Sequence, residues 1–212
     1  MDERLRHEPI RWQPAPDRTP DSWPAAAPTG PDLPGWLEER LFDRRIVVLH
    51  GPLTGALATY LSAALLSLDA AGSEPVQLQM TSPGGDLAAA FAVIDAMDAM
   101  TAPVHAVVTA QAGGAVIAVL AAAQRRSAYQ HARFRLVEPR AAGVTGTADE
   151  VAAAAGQHLR ELEEVILRLA EVTGQPRSRV EDDLSAGRML SAHQARDYGL
   201  IDAVIGDEPP RG

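Results

Sequence analysis

The chain has 212 residues, 46% of them hydrophobic, 4% aromatic and 22% charged, with 19 basic and 28 acidic residues for a net charge of -9. That length supports one sizeable core, and a diffuse acidic balance argues against a nucleic-acid or anionic-membrane surface. With no Cys, disulfides, thiolate metal sites and Cys nucleophiles are excluded; no apolar run reaches the ~18 residues of a membrane span, so a cytoplasmic protein that binds neither membrane nor nucleic acid, and needs no cofactor or metal, is the expectation.

Residues 1–34 carry eight of the sixteen prolines, a density that forbids helix interiors and sheet ladders. They are expected to form a disordered or extended arm, in which Trp12 and Trp23 stand out as apolar side chains in need of a partner. Residues 35–206 are expected to form one α/β domain, and 207–212 a loose tail. Within the domain, a short helix over 35–42 leads to a first strand, Arg45 to Leu49, whose unbroken apolar run predicts burial on both faces. Leu57, Leu61, Leu65 and Leu68 then form a helical stripe over 56–71.

The centre of the chain is a pair of βα units. Val76, Leu78 and Met80 alternate with Gln77, Gln79 and Thr81, the period of a strand. The turn Ser82-Pro83-Gly84-Gly85-Asp86 follows, and a helix with Leu87, Phe91, Ile94 and Met97 on one face. A second strand, Val104 to Val108, runs into Ala110-Gln111-Ala112-Gly113-Gly114 and another apolar helix. Each strand thus ends in a glycine pair that opens a helix. Glycines permit close backbone approach, and a helix N-terminus offers free N–H donors, so two such turns side by side can form an oxyanion hole. The same glycines also serve plain βα turns. On either reading the fold is parallel strands with crossover helices.

Downstream, Phe134, Leu136 and Glu138 alternate with Arg135 and Val137 in a strand stopped by Pro139. A Gly/Ala/Thr loop over 141–147 precedes a long helix from about Ala148 to Val172, capped by Thr147 with Glu150 three residues on. Its stripe is Leu159, Leu162, Val165, Ile166 and Leu169, and Gly174 ends it. A helix over 177–184, a helix over 192–198 capped by Ser191 and stopped by Gly199, and a short strand over 200–205 complete the chain.

The run RRIVVLHGPL, the SPGGD turn with its Ala-rich helix, the segment from Arg133 to Pro139, EVTGQP, and RMLSAHQARDYGLIDAVI occur in one order. This series resembles the proteolytic subunit of the Clp protease, ClpP, within the crotonase-like superfamily, over about residues 41–205. The resemblance implies stacked βα units with a long handle helix, subunits in two stacked seven-membered rings, a Clp ATPase as possible partner, and a Ser-His-Asp serine peptidase.

The triad positions that the resemblance implies hold other residues. The nucleophile position is Gly114 when counted from Gly85, or Ala112 when counted back from Arg126 and Arg133; the histidine position is Val137; the aspartate position is Gly187. Gly84 and Gly85 match the family's oxyanion-type turn. The expectation is a homologue that lacks the triad, a pseudo-peptidase that forms a homo-oligomer or a mixed ring with an active ClpP paralogue. The alternative is an active Clp-type serine peptidase or crotonase-like acyl hydrolase with relocated residues, for which Thr109, Ser82, His105, His131, Asp182 and Asp183 are the candidates, His50 and His193 reading as surface or turn residues.

Overall fold

The computed structural model describes residues 33–139 and 145–207. All but the last two residues of the proline-rich arm expected over 1–34, and most of the tail expected over 207–212, lie outside the described residues. In chain order the elements are α1 (Gly35–Phe42), β1 (Ile46–His50), α2 (Gly55–Ala71), β2 (Val76–Ser82), α3 (Leu87–Ala99), β3 (Val104–Gly113), α4 (Ala115–Ala122), β4 (Arg125–Tyr129), β5 (Arg133–Arg135), α5 (Ala148–Thr173), α6 (Arg177–Ala186), β6 (Met189–Ser191), α7 (Ala192–Tyr198) and β7 (Ala203–Ile205). This is an α/β fold of stacked βα units with one long helix.

The main sheet runs β1-β2-β3-β4-β7 with every neighbour parallel. β3 forks it. Its first half, His105 to Val108, pairs with β4, while Gln111 to Gly113 pairs with β5. β5 also pairs with β6, and that pair is antiparallel. The fork is possible because β3 is longer than the 104–108 strand expected from its apolar run. Between Met80↔Val108 and Ser82↔Ala112, β3 spends four residues where β2 spends two. The Thr81 and Thr109 hydroxyls bond each other across this irregularity, and Thr109 Oγ1 also donates to the Met80 carbonyl.

The core is aliphatic, as the low aromatic content requires. α4 is buried along its whole length, from Ala115 to Ala122, between the sheet and its helical neighbours. β2 alternates buried and half-buried residues as its sequence period indicates. β1 departs from the expectation. Val47 and Leu49 are buried, but Ile46 and Val48 are only half covered. β1 ends the strand order among the described residues, so it has a strand neighbour on one side only. β4 went unread in the sequence because it carries almost no apolar signal: of Arg125 to Tyr129 only Ala128 is buried.

α5 has the expected capping box: Thr147 Oγ1 accepts from the Glu150 N–H and Glu150 Oε2 accepts from the Thr147 N–H. Its two ends differ. Val165, Ile166 and Leu169 are buried in the core, and Leu162 packs against it in part. N-terminal to them Val151 is exposed and Leu159 is 64% exposed. The apolar stripe is therefore half satisfied by the protomer's own core. Arg168 pins the packed end through Asp98 at 2.7 Å.

Candidate functional site

The two glycine turns meet at the C-terminal ends of β2 and β3. A Cβ on Gly84 would lie 3.4 Å from the Gly113 carbonyl oxygen, and one on Gly113 would lie 2.6 Å from that of Pro83. The SPGG turn is fixed from beneath by Ser82, which is fully buried. Its Oγ donates to the Gly84 carbonyl at 2.9 Å and accepts from the Gly84 N–H at 3.2 Å. The other flank is an isolated parallel bridge to Leu53, in which Leu53 N–H donates to Gly84 and Asp86 N–H donates to Leu53. The Gly85 N–H takes no part in that bridge. Gly85 itself is required by packing, since a Cβ there would stand 2.3 Å from the Leu53 oxygen and 2.5 Å from its nitrogen. Asp86 then caps α3 by accepting from the Ala88 N–H.

The second turn is set by Gly114, the residue before α4, with φ 51° and ψ −132°. A side chain at that φ is strained, by about 1–3 kcal/mol. Gly114 N–H donates to the Arg135 carbonyl, which ties the turn to β5. The first N–H groups of α4 have no acceptor within the helix. A Cβ on Gly114 would meet Gly84 Cα at 3.6 Å and Val137 Cγ1 at 3.9 Å.

Val137 lies just beyond β5. Leu136 and Glu138 on either side of it donate to the Arg188 and Leu184 carbonyls, so the segment is clamped between α6 and β6. Gly187 is the left-handed C-cap of α6, and a Cβ there would stand 4.0 Å from Val137 Cγ2. The next residue, Arg188, anchors this corner. Its Nη1 bonds both Asp183 carboxylate oxygens at 2.9 and 3.0 Å, and its guanidinium stacks 5.5 Å from the Tyr198 ring centroid. Burial, with Asp183 beside it, pushes the Tyr198 hydroxyl up to about 12.

Gly114, Val137 and Gly187 thus come together from three separate parts of the chain, with Val137 between the two glycines. Ala112 does not join them: it lies inside β3, buried, paired with Ser82 and Phe134. The three side-chain positions of this junction hold no group that can take or give a proton.

The remaining candidates are scattered. Thr109 is bound to Thr81, and Ser82 to its own turn. His105 sits at the opposite end of β3, paired with Gln77 and Arg125. His50 ends β1, His131 is exposed, and His193 pairs with Asp207 at 3.2 Å. Asp183 is engaged with Arg188, and Asp182 is exposed. Among the described residues no Ser or Thr hydroxyl bonds a histidine. Sequence reasoning passed over Arg133 and Arg135, which share the outward face of β5 with Val137; the period-two spacing 133, 135, 137 was the available signal.

A forked parallel sheet, two adjoining glycine turns and a long helix half free of the core define an α/β protein of stacked βα units. The chain belongs to the Clp protease family, whose model matches residues 36–208. Two curated relatives, each named ATP-dependent Clp protease proteolytic subunit 1, come from Chlamydia caviae and Chlamydia abortus. Both are 32% identical to this chain over 173 residues, covering 80% of it and 91% and 90% of themselves respectively. This chain is thus a homologue of Clp protease proteolytic subunits. No helix among the described residues is long and apolar enough to cross a membrane.

Proposed function

We propose that this protein is a non-catalytic, ring-forming or regulatory subunit of a Clp-type protease assembly in the cytoplasm. The observation that carries the reading is the junction of Gly114, Val137 and Gly187, with Val137 next to each glycine, at the places where the family resemblance puts nucleophile, base and orienting acid. A triad works because the imidazole removes the hydroxyl proton and the carboxylate holds the imidazole. Here neither step has a group to perform it. Gly84 and Gly85 keep the oxyanion-type turn, which alone supports a residual rate of roughly 10³–10⁴-fold over water.

Assembly is argued from α5. Its N-terminal half presents Val151 and Leu159 to solvent in the protomer, and a second copy or an active ClpP paralogue would cover them. A Clp ATPase is the partner expected of such an assembly.

Two measurements test the reading. A fluorophosphonate probe is expected to leave the protein unlabelled; labelling abolished by changing a single Ser or Thr would show an active peptidase with relocated residues. Native mass spectrometry, alone and with an active paralogue, is expected to show a ring or pair of rings. A monomer at micromolar concentration in both cases would refute the assembly.

A further inference from the structure

α2 is covered on one side only. Ala58, Leu61, Leu65 and Leu68 are buried in the core. On the other side Ala56, Thr59, Tyr60, Ala63, Leu66 and Ala70 are exposed, Tyr60 and Leu66 by 45% and 44%. No exposed residue of α2 is charged. Its one charged side chain, Asp69, is half-buried and accepts from the Thr101 and Ala102 N–H groups at 3.0 and 2.8 Å. The neighbouring α3 is built otherwise, with Asp95 and Asp98 on its exposed side. A helix that is apolar all round belongs inside a structure. The outer side of α2 is therefore an uncharged face without cover among the described residues, about 21 Å long from Ala56 to Ala70 at ~1.5 Å per residue.

α1 leads the chain past this face. The Tyr60 hydroxyl donates to Glu38 Oε1 at 2.8 Å, which ties α1 to α2. No residue of α1 is buried, and Trp36 is 66% exposed. Residues 1–32 join the described chain at Leu33, two residues ahead of α1. Within them the run from Ser22 to Pro31, SWPAAAPTGP, carries no charge and holds Trp23 and three prolines. A proline-rich segment extends ~3.1 Å per residue, so the ten residues from Trp23 to Leu33 span up to about 31 Å. That reach exceeds the length of the α2 face. Trp gains most from a partner that covers its apolar body, and prolines give up little entropy when they dock.

We propose that the uncharged outer face of α2 is the docking surface for this chain's own N-terminal arm, with the Trp23 indole over Ala63. Tyr60 and Leu66 stand three residues to either side of Ala63 and flank that place on the helix. A second copy of the chain is the competing occupant. The arm is favoured because it is tethered beside the face and meets it at roughly millimolar effective concentration, which a free second copy does not match. The contact uses no residue of the Gly114 junction and none of the free half of α5, so it stands whether or not the protein cuts peptides.

The chain has no cysteine, so introduced pairs report contacts without background. In the full chain, A25C is combined in turn with A56C, A63C and A70C on α2, and with A152C on α5 as the reference; all four partner positions are exposed. Oxidation by diamide is followed by non-reducing electrophoresis and intact mass. A disulfide within one chain is expected to form with A63C about tenfold or more faster than with A152C, the gain of a docked segment over a merely tethered one. Equal rates at all four positions overturn the proposal. Disulfides between chains also overturn it, and give the face to a second copy. A second measurement needs no cysteine. With Trp23 as the only tryptophan, in W12F/W36F, acrylamide should quench its emission less than in a free peptide of residues 15–34, and A63E should raise quenching to the peptide's level. Quenching equal to the peptide's from the start, or unchanged by A63E in a variant with native circular dichroism, overturns the proposal.

Discussion

Replacing Leu159 by Gln separates the two roles that one apolar stripe plays on α5. Leu159 is 64% exposed in the protomer, so its loss there removes little packing. Burial of a Leu is worth about 1.5–3 kcal/mol, and with roughly two-thirds of the side chain left to cover, a second copy would gain ~1–2 kcal/mol from it. In an isologous contact the residue enters twice, giving ~2–4 kcal/mol per pair of handles, or roughly 30- to 700-fold in the dissociation constant. Sedimentation velocity over a concentration series reads that shift, and thermal melting of the dissociated protomer reads the fold. L159Q is expected to weaken assembly by that factor and leave the melt unchanged. Ile166→Gln is the contrast: Ile166 is only 7% exposed and belongs to the core, so its loss should cost about 2–5 kcal/mol of protomer stability. Unchanged assembly in L159Q would refute the interface, and a melt lowered as far as in I166Q would show that the N-terminal half of the helix packs within the protomer.

Three other outcomes are expected. Gly85→Ala forces a Cβ to within 2.3–2.6 Å of Leu53 atoms, two of them backbone, and should cost about 1–3 kcal/mol in chemical denaturation; a neutral effect would mean that the Leu53 bridge yields easily. The triple change G114S/V137H/G187D puts a hydroxyl, an imidazole and a carboxylate on positions already in contact, and should raise peptide hydrolysis and fluorophosphonate labelling above the parent, while the strain at Gly114 lowers stability by about 1–3 kcal/mol; a folded triple variant that shows no labelling would refute the assignment of those positions. The Thr147 main-chain bond, with the Thr147 hydroxyl, holds the Glu150 carboxyl below its usual 4.5. A lowered folded-state value gives stability that is fully present above 4.5 and lost as pH falls through that lower value. Helical circular dichroism should therefore show a small acid-side loss that Glu150→Gln removes.

Much of the fold was legible because its elements carry clean periods. β2 alternates, α2 and α5 carry stripes, and Thr147, Ser191, Gly174 and Gly199 act as the caps their residue types suggest. Elements that draw their stability from neighbours were not legible. β4 is a strand because β3 and β7 flank it, and the antiparallel β6 exists because β5 offers an edge. The stripe on α5 was seen whole, but where the core ends along it depends on tertiary packing, which no helical period encodes. At the candidate site, Gly114 and Ala112 differ by tertiary placement that no sequence period encodes: Gly114, ahead of α4, lies near Val137, while Ala112 is buried inside β3.

The two-ended character of α5 also makes it a mechanical part. A rod clamped at one end is a strut whose reach depends only on its residue count. From Ala148 to Glu161, ahead of the first core contact at Leu162, fourteen residues extend about 21 Å at ~1.5 Å each. That reach sets the gap between whatever two bodies the strut joins. It can be lengthened or shortened by whole turns without touching the sheet, so in the proposed assembly the spacing of the joined bodies would be a dimension the chain can alter independently of its fold.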